Sequence, residues 1–401
     1  MLALIFWLSV AFIVYTYAGY PLLLWLLARL RGRRSGCPPN EPRVTLIIAA
    51  LNEQDVIARK LENSLGLDYP RERLQVVVAA DGSIDRTPEI ARRYAGQGVE
   101  VSFQPARQGK IAAINNAMTK AKGEVVVFSD ANNMYTPETL RELVGPFCDP
   151  QVGAVSGAKS IVSQGDDLSE SEGLYWKYES FIKEQETRLG SCTGVAGEIL
   201  AVRKDLYTPP PDRIINDDFY IAMAVLRQGC RVVYNRRARS YEAVSQTAQD
   251  EMTRRSRIIA GRFQAMGSAA HILPWRSPLL VWQVVSHKFF RPLVPVAMLT
   301  ALLANLAAVI RPPEAAAQWS DWLRLAFPYN WILLALQGSF YGLAWLGNRF
   351  SLPGKAGKLL SLPAFLYNSN LAALTGLFRY ANGRESVLWQ RVARRQEVID
   401  E

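Results

Sequence analysis

The chain reads as an α/β protein, with an open, mostly parallel nucleotide-binding sheet in the middle and transmembrane helices at both ends. Three observations predict this. Short β-branched runs such as Val76–Ala80 and Val125–Ser129 alternate with helical stretches. Both of these runs lead directly into an acid, Asp81 and Asp130, and parallel strands present ligands at their carboxyl ends. Residues 2–28 and several segments after residue 290 are almost wholly apolar, where roughly 20 such residues suffice to cross a bilayer.

Taken in order, residues 2–28 are followed by Arg29, Arg31, Arg33 and Arg34. A signal peptide carries its charge before the apolar run. The reverse order predicts an anchor over residues 1–30, with its arginines in the cytoplasm and its N-terminus outside. The soluble part spans residues 42–245. Arg43–Ala50 is its first expected strand, and Asn52 and Glu53 open a helix through Leu65. Val76–Ala80 follows as a strand, Pro88–Tyr94 as a helix core, Val99–Gln104 as a strand, Lys110–Lys120 within a helix and Val125–Ser129 as a strand. No GxGxxG follows the first strand and no GxxxxGK[ST] occurs, which argues against a dinucleotide oxidoreductase and a P-loop NTPase.

Residues 246–291 read as amphipathic interface helices. Within them Leu279–Phe290 is broken by His287 and Lys288, which suits a helix lying in the membrane surface. Residues 292–378 hold the expected C-terminal spans: Pro292–Ile310, Leu325–Leu346 and a weaker Leu359–Phe378 with Asn368, Ser369 and Asn370 at its centre. A basic tail, 379–401, closes the chain. Three C-terminal spans would set Arg379–Arg395 outside, against the positive-inside tendency.

The net charge of +10 could suggest nucleic acid. The basic residues cluster instead beside apolar segments (Arg29–Arg34, Arg236–Arg239, Arg254–Arg262, Arg391–Arg395). Attraction to anionic headgroups of a lipid bilayer accounts for that placement, and no nucleic-acid partner is expected. Cys37, Cys148, Cys192 and Cys230 form no CxxC pair, and the two histidines, His271 and His287, lie near the membrane segments. A zinc site or a Cys/His nucleophile is therefore not expected, and any metal would be oxygen-held, which favours Mg²⁺ or Mn²⁺.

The ordered set of motifs resembles glycosyltransferase family 2, especially its membrane-integrated branch of cellulose, hyaluronan, chitin-oligosaccharide and poly-N-acetylglucosamine synthases. ALNE (Ala50–Glu53), ADGSIDRT (Ala80–Thr87), RQGKIAAINNAM (Arg107–Met118), SDANN (Ser129–Asn133), GEILAVRK (Gly197–Lys204), NDD (Asn216–Asp218) and RRSRIIAG (Arg254–Gly261) follow the family's order. The resemblance implies a GT-A-type fold and an inverting, metal-dependent hexosyltransferase. It would move a sugar from a UDP-sugar to a growing polysaccharide or lipid-linked acceptor at the inner membrane, with its catalytic part cytoplasmic. A single, non-processive transfer onto a membrane lipid is the alternative.

The resemblance also implies roles. Asp130 and Asn132 would hold the metal, Asn132 standing where the family has a second Asp. Asn52, Glu53, Asp81, Lys110, Arg254 and Arg257 would bind the nucleotide-sugar. Asp218, supported by Asp217, would be the catalytic base that takes the acceptor's proton, although Asn-Asp-Asp before an apolar helix also reads as a plain cap. Gly197, Glu198 and Trp176 would face the acceptor. Ile258 stands where processive relatives have a sugar-stacking Trp, which puts processive synthesis in question.

Overall fold

The computed structural model describes residues 1–32, 40–161, 167–242, 247–314, 320–350 and 354–383. Arg33, Arg34, Cys37 and the tail beyond Gly383, with Arg391–Arg395, lie outside the described residues. The chain opens with α1 (Leu2–Val14), which passes through a π-turn at Tyr15–Gly19 into α2 (Tyr20–Arg31). The α/β part follows as β1 (Val44–Ala50), α3 (Ile57–Leu65), β2 (Leu74–Asp81), α4 (Thr87–Arg92), β3 (Val99–Gln104), α5 (Lys110–Met118) and β4 (Val125–Asp130). It continues as β5 (Met134–Tyr135), α6 (Thr139–Val144), β6 (Val152–Ile161), α7 (Asp167–Leu189), β7 (Leu200–Arg203), α8 (Asp217–Arg227) and β8 (Arg231–Glu242). Helices complete the chain: α9 (Ala248–Gly267), α10 (Ala269–Ile272), α11 (Pro278–Val284), α12 (Val294–Ile310), α13 (Asp321–Arg324), α14 (Tyr329–Arg349) and α15 (Gly354–Ala381).

One eight-stranded sheet runs in the order β3-β2-β1-β4-β7-β6-β8-β5. The first half is parallel, as expected: β2 pairs with β3, and β1 pairs with both β2 and β4. The second half is mixed. β7 lies antiparallel to β4 and to β6, β5 lies antiparallel to β8, and only β6 with β8 is parallel. The expectation of a mostly parallel sheet therefore holds for the β3-β2-β1-β4 half and gives way to a mixed sheet at β7.

The first strands are almost wholly apolar because both faces are covered. Leu46, Ile48, Val76 and Val78 pack with Ile57, Leu61, Leu140 and Leu143 on one side. Ile47, Val77 and Val126 pack with Ile114, Ile221 and Val225 on the other. Residues one apart thus enter different cores, as the pleat requires. The helix expected from Asn52 begins only at Ile57. Asn52 sits at φ 54°, a left-handed conformation that a helix cannot incorporate.

Among the described residues, two helical runs are long and apolar enough to cross a membrane, Leu2–Arg31 and Pro278–Ile310. The second joins the two segments 279–290 and 292–310 into one 33-residue run. α1 packs on α12, α12 on α14, α14 on α15, and α15 on α9, so the helical layer is tied to the α/β part through α9. α14 leaves Trp331, Ile332, Leu336 and Trp345 exposed.

Candidate active site

The carboxyl ends of the parallel strands, the start of α8 and the helices α7, α9 and α15 enclose one cavity of about 1150 Å³. Asp130, at the end of β4, faces Lys110 in the first turn of α5, with Nζ 2.5 Å from Oδ1. Burial works against the Lys110 ammonium. Asp130, Asp217 and Asp218 outweigh it and hold the pKa above its ordinary value. Glu53, Lys110, Asp130, Asn132, Trp176, Gly197, Glu198, Asp217, Asp218, Arg254 and Arg257 all line this cavity.

Asn52 and Asp81 stand behind the wall. The Asp81 carboxylate is buried and accepts from the backbone N–H groups of Gln108 (2.8 Å) and Gly109 (2.9 Å). Both of its oxygens are thereby used to set the start of α5, which aims Lys110. Asn52 Oδ1 accepts from the Ile84 N–H at 2.9 Å, shaping the DGSIDRT loop.

Asn216, Asp217 and Asp218 begin α8, where the helix dipole favours acids. Asn216 Nδ2 donates to the Ile258 carbonyl at 2.8 Å, joining α8 to α9. Asp218 Oδ1 accepts from the Phe219 N–H at 2.8 Å. Burial, with Asp217 beside it, pushes the Asp218 carboxyl up to about 6. Gly197 makes this recess possible, since a Cβ there would lie 3.1 Å from Asp218 Cβ.

Two site residues carried no usable sequence signal. Lys159 on β6 and Glu242 at the end of β8 are buried and ion-paired with each other. Lys159 Nζ is also 3.3 Å from Glu198 and 5.6 Å from the Trp176 ring centre. Burial works against the Glu198 carboxylate, and Lys159, the residue's own backbone N–H, Lys110 and Lys183 together outweigh it, leaving the pKa lowered. Asn132 Nδ2 donates to Glu242 at 3.2 Å. The only hint in the sequence was a lone lysine in an otherwise small and apolar strand.

The far wall is basic and apolar together. Arg254 and Arg255 both bind Glu251, at 2.7 Å and 2.6 Å. The Arg255 guanidinium lies 5.0 Å from the Phe365 ring centre. Arg257 and Ile258 from α9, with Leu362, Phe365, Leu366 and Ala373 from α15, complete the lining. Phe263 of α9 stacks on Tyr380.

Among the described residues no three His, Cys, Asp or Glu side chains gather as a metal site, so a divalent cation here would draw its protein oxygens from Asp130 and Asn132. Asp130 and Asn132 reach the cavity from one turn, and the Asn132 amide nitrogen is committed to Glu242, which leaves its oxygen as the ligating atom. All further acids on the wall offer oxygen as well, the donor that Mg²⁺ and Mn²⁺ take.

A model described as "Glycosyl transferase family 2" matches residues 45–208. The β-monoglucosyldiacylglycerol synthase of Nostoc sp. is 28% identical over 194 residues, covering 47% of this chain and 42% of that protein. The poly-β-1,6-N-acetyl-D-glucosamine synthase of Staphylococcus aureus is 25% identical over 211 residues, covering 51% of this chain and 50% of that protein. The chain thus spans half or less of these curated relatives. A mannosyltransferase from Pyrobaculum calidifontis, solved with GDP-Man and Mn²⁺, superposes with a TM-score of 0.69 at 24% identity, covering 96% of this chain and 100% of that one. That likeness establishes a GT-A-like α/β fold. Residues 45–208 thus form a domain of the glycosyltransferase family 2 type.

Proposed function

We propose that the protein is a membrane-embedded, inverting hexosyltransferase that moves a sugar from a UDP-sugar to a growing polysaccharide or a lipid-linked acceptor. The observation that carries this reading is Asp218, a carboxyl held near pH 6 that shares its cavity with the Lys110–Asp130 pair. Such a value suits a general base working at neutral pH. Asp218 takes the acceptor hydroxyl's proton as that oxygen bonds to the anomeric carbon. The bond from that carbon to the diphosphate oxygen breaks, and UDP leaves with the electron pair. One displacement inverts the configuration. Lys110 and Arg257 receive the diphosphate, the latter with a planar donor fork suited to phosphate. Asp130 and Asn132 hold the Mg²⁺ or Mn²⁺, which when bound neutralises charge on the leaving group. Asp81 and Asn52 serve the nucleotide by shaping the loops beside it.

In this reading residues 1–30 anchor the chain, 42–245 form the cytoplasmic catalytic domain, 246–291 lie at the interface and 292–378 cross the inner membrane. A single transfer onto a membrane lipid is the second reading. It is favoured by the Leu362, Phe365 and Leu366 side chains that α15 adds to the cavity wall beside its polar Ser361, Ser369 and Asn370, and by Ile258, which lacks an aromatic face.

Purified protein in detergent, given a panel of labelled UDP- and GDP-sugars, tests the proposal. A ladder or high polymer supports the first reading, and one added sugar on extracted lipid supports the second. Absence of nucleotide release with every UDP-sugar would sink both. Asp130→Ala should abolish transfer and weaken donor binding together, as titration calorimetry with the productive nucleotide-sugar would show.

A further inference from the structure

A second carboxylate cluster lies at the edge of the cavity, with Glu179, Lys288 and Arg291 on its wall and Glu186 and His287 outside the lining, and it takes no part in the chemistry above. Glu186, on α7, is fully buried and collects donors from two distant segments and from the chain just after its own helix. Tyr20 of α2 donates its hydroxyl at 2.6 Å. His287, in the Pro278–Ile310 helical run, places Nδ1 at 2.8 Å. Thr193 donates both its backbone N–H (2.7 Å) and its hydroxyl (3.0 Å). The other face of His287 meets Glu179, with Nε2 at 3.1 Å, and Glu179 also binds Lys288 and Arg291, each at 2.7 Å.

Thr193 is where the chain enters the segment that ends at Gly197 and Glu198 on the cavity wall. That segment is fixed at two further points. The Ala196 N–H donates to Ser156 Oγ at 3.1 Å, and the Glu198 carbonyl accepts from the Tyr135 hydroxyl at 2.7 Å. Gly194 lets it press on the membrane-side helix, since a Cβ there would sit 2.5 Å from Lys288 Nζ. Apolar packing could fill this space without the desolvation cost of a buried ionic cluster. A carboxylate with four convergent donors does something that packing does not, because it fixes direction as well as distance.

We propose that Glu186 is a positioning residue: by holding Thr193 against Tyr20 and His287, it sets the 193–198 segment opposite Asp218 and ties acceptor placement to the seating of the two long apolar helices. This deepens the transferase reading and rests on it for the kinetic readout alone.

The test uses the full chain in detergent, with Thr193→Val, Glu186→Gln and the conservative Thr193→Ser. Hydrogen exchange of the 193–198 amides should speed up by about tenfold or more in Thr193→Val and Glu186→Gln, the effect of losing one charge-assisted hydrogen bond. Exchange in β1, β2 and β4 should stay unchanged. Acceptor KM should rise by about tenfold with donor KM unaltered, and Thr193→Ser should restore both readouts. Unchanged exchange in the segment, a rise spread across the whole domain, or donor and acceptor KM rising together would each overturn the proposal. If the exchange changes as expected while the unaltered protein transfers no sugar, the positioning role stands and the transferase reading falls.

Discussion

Asp218 and Glu186 are both carboxylates walled in by protein, and their surroundings push them in opposite directions. Asp218 has an acid neighbour and one backbone donor, so burial and Asp217 raise its carboxyl to about 6. Glu186 is sealed more completely, yet His287, the Thr193 N–H and Tyr20 outweigh burial and lower its pKa. Burial alone therefore does not decide reactivity. The supply of donors does, leaving one group able to accept a proton at neutral pH and the other fixed as an anion.

The largest expected effect that tests this contrast is kinetic. Asp218→Asn should cut turnover by roughly 10²–10⁴, the usual worth of a general base, while donor affinity by calorimetry stays unchanged. Near-native turnover would mean that the base is another residue. Stability comes next. Glu186→Ala strands His287 and the Thr193 N–H, and thermal unfolding in detergent should show a loss of about 3–5 kcal/mol, as when one partner of a buried pair is removed.

Asp218→Asn should shift stability the other way. A carboxyl raised to about 6 costs the fold fully above that pH, and the cost fades below roughly 4, the ordinary aspartate value. The variant should therefore melt higher than the parent at pH 7.5 and level with it near pH 4. A lower melting point at pH 7.5 would contradict the raised value. The smallest effect concerns the acid limb of kcat, expected near pH 6. Asp217→Asn removes a raising influence and should move that limb to lower pH, measured from the pH profile of initial rates. A limb that stays in place would leave Asp217 without an electrostatic role.

Much of the framework around the cavity was legible in the sequence because its signals are local. A β-branched run followed by an acid marks a strand end, and β4 does finish at Asp130 beside Lys110. Asn216–Asp218 was readable as a helix start for the same reason, and α8 begins there. Local signals misled where a backbone dihedral intervened, as at Asn52. They also could not tell that Asp81 faces the Gln108 and Gly109 amides while Asp130 faces the cavity.

By itself, then, the sequence determined the alternating α/β order, the acids at strand and helix ends, and the apolar character of residues 2–28 and 292–310, while the structure joined the latter to 279–290 in one run. Each of these sequence signals depends on residues within a few positions of one another. The tertiary structure alone decided that β7 enters the sheet antiparallel, that Lys159 meets Glu242 and Glu198, and that Tyr20, Glu186 and His287 converge on Thr193. Apart from Glu186 and Thr193, seven residues from each other, these partners are tens to hundreds of residues apart. Their pairing is set by sheet order and helix packing, for which hydrophobic periodicity carries no address.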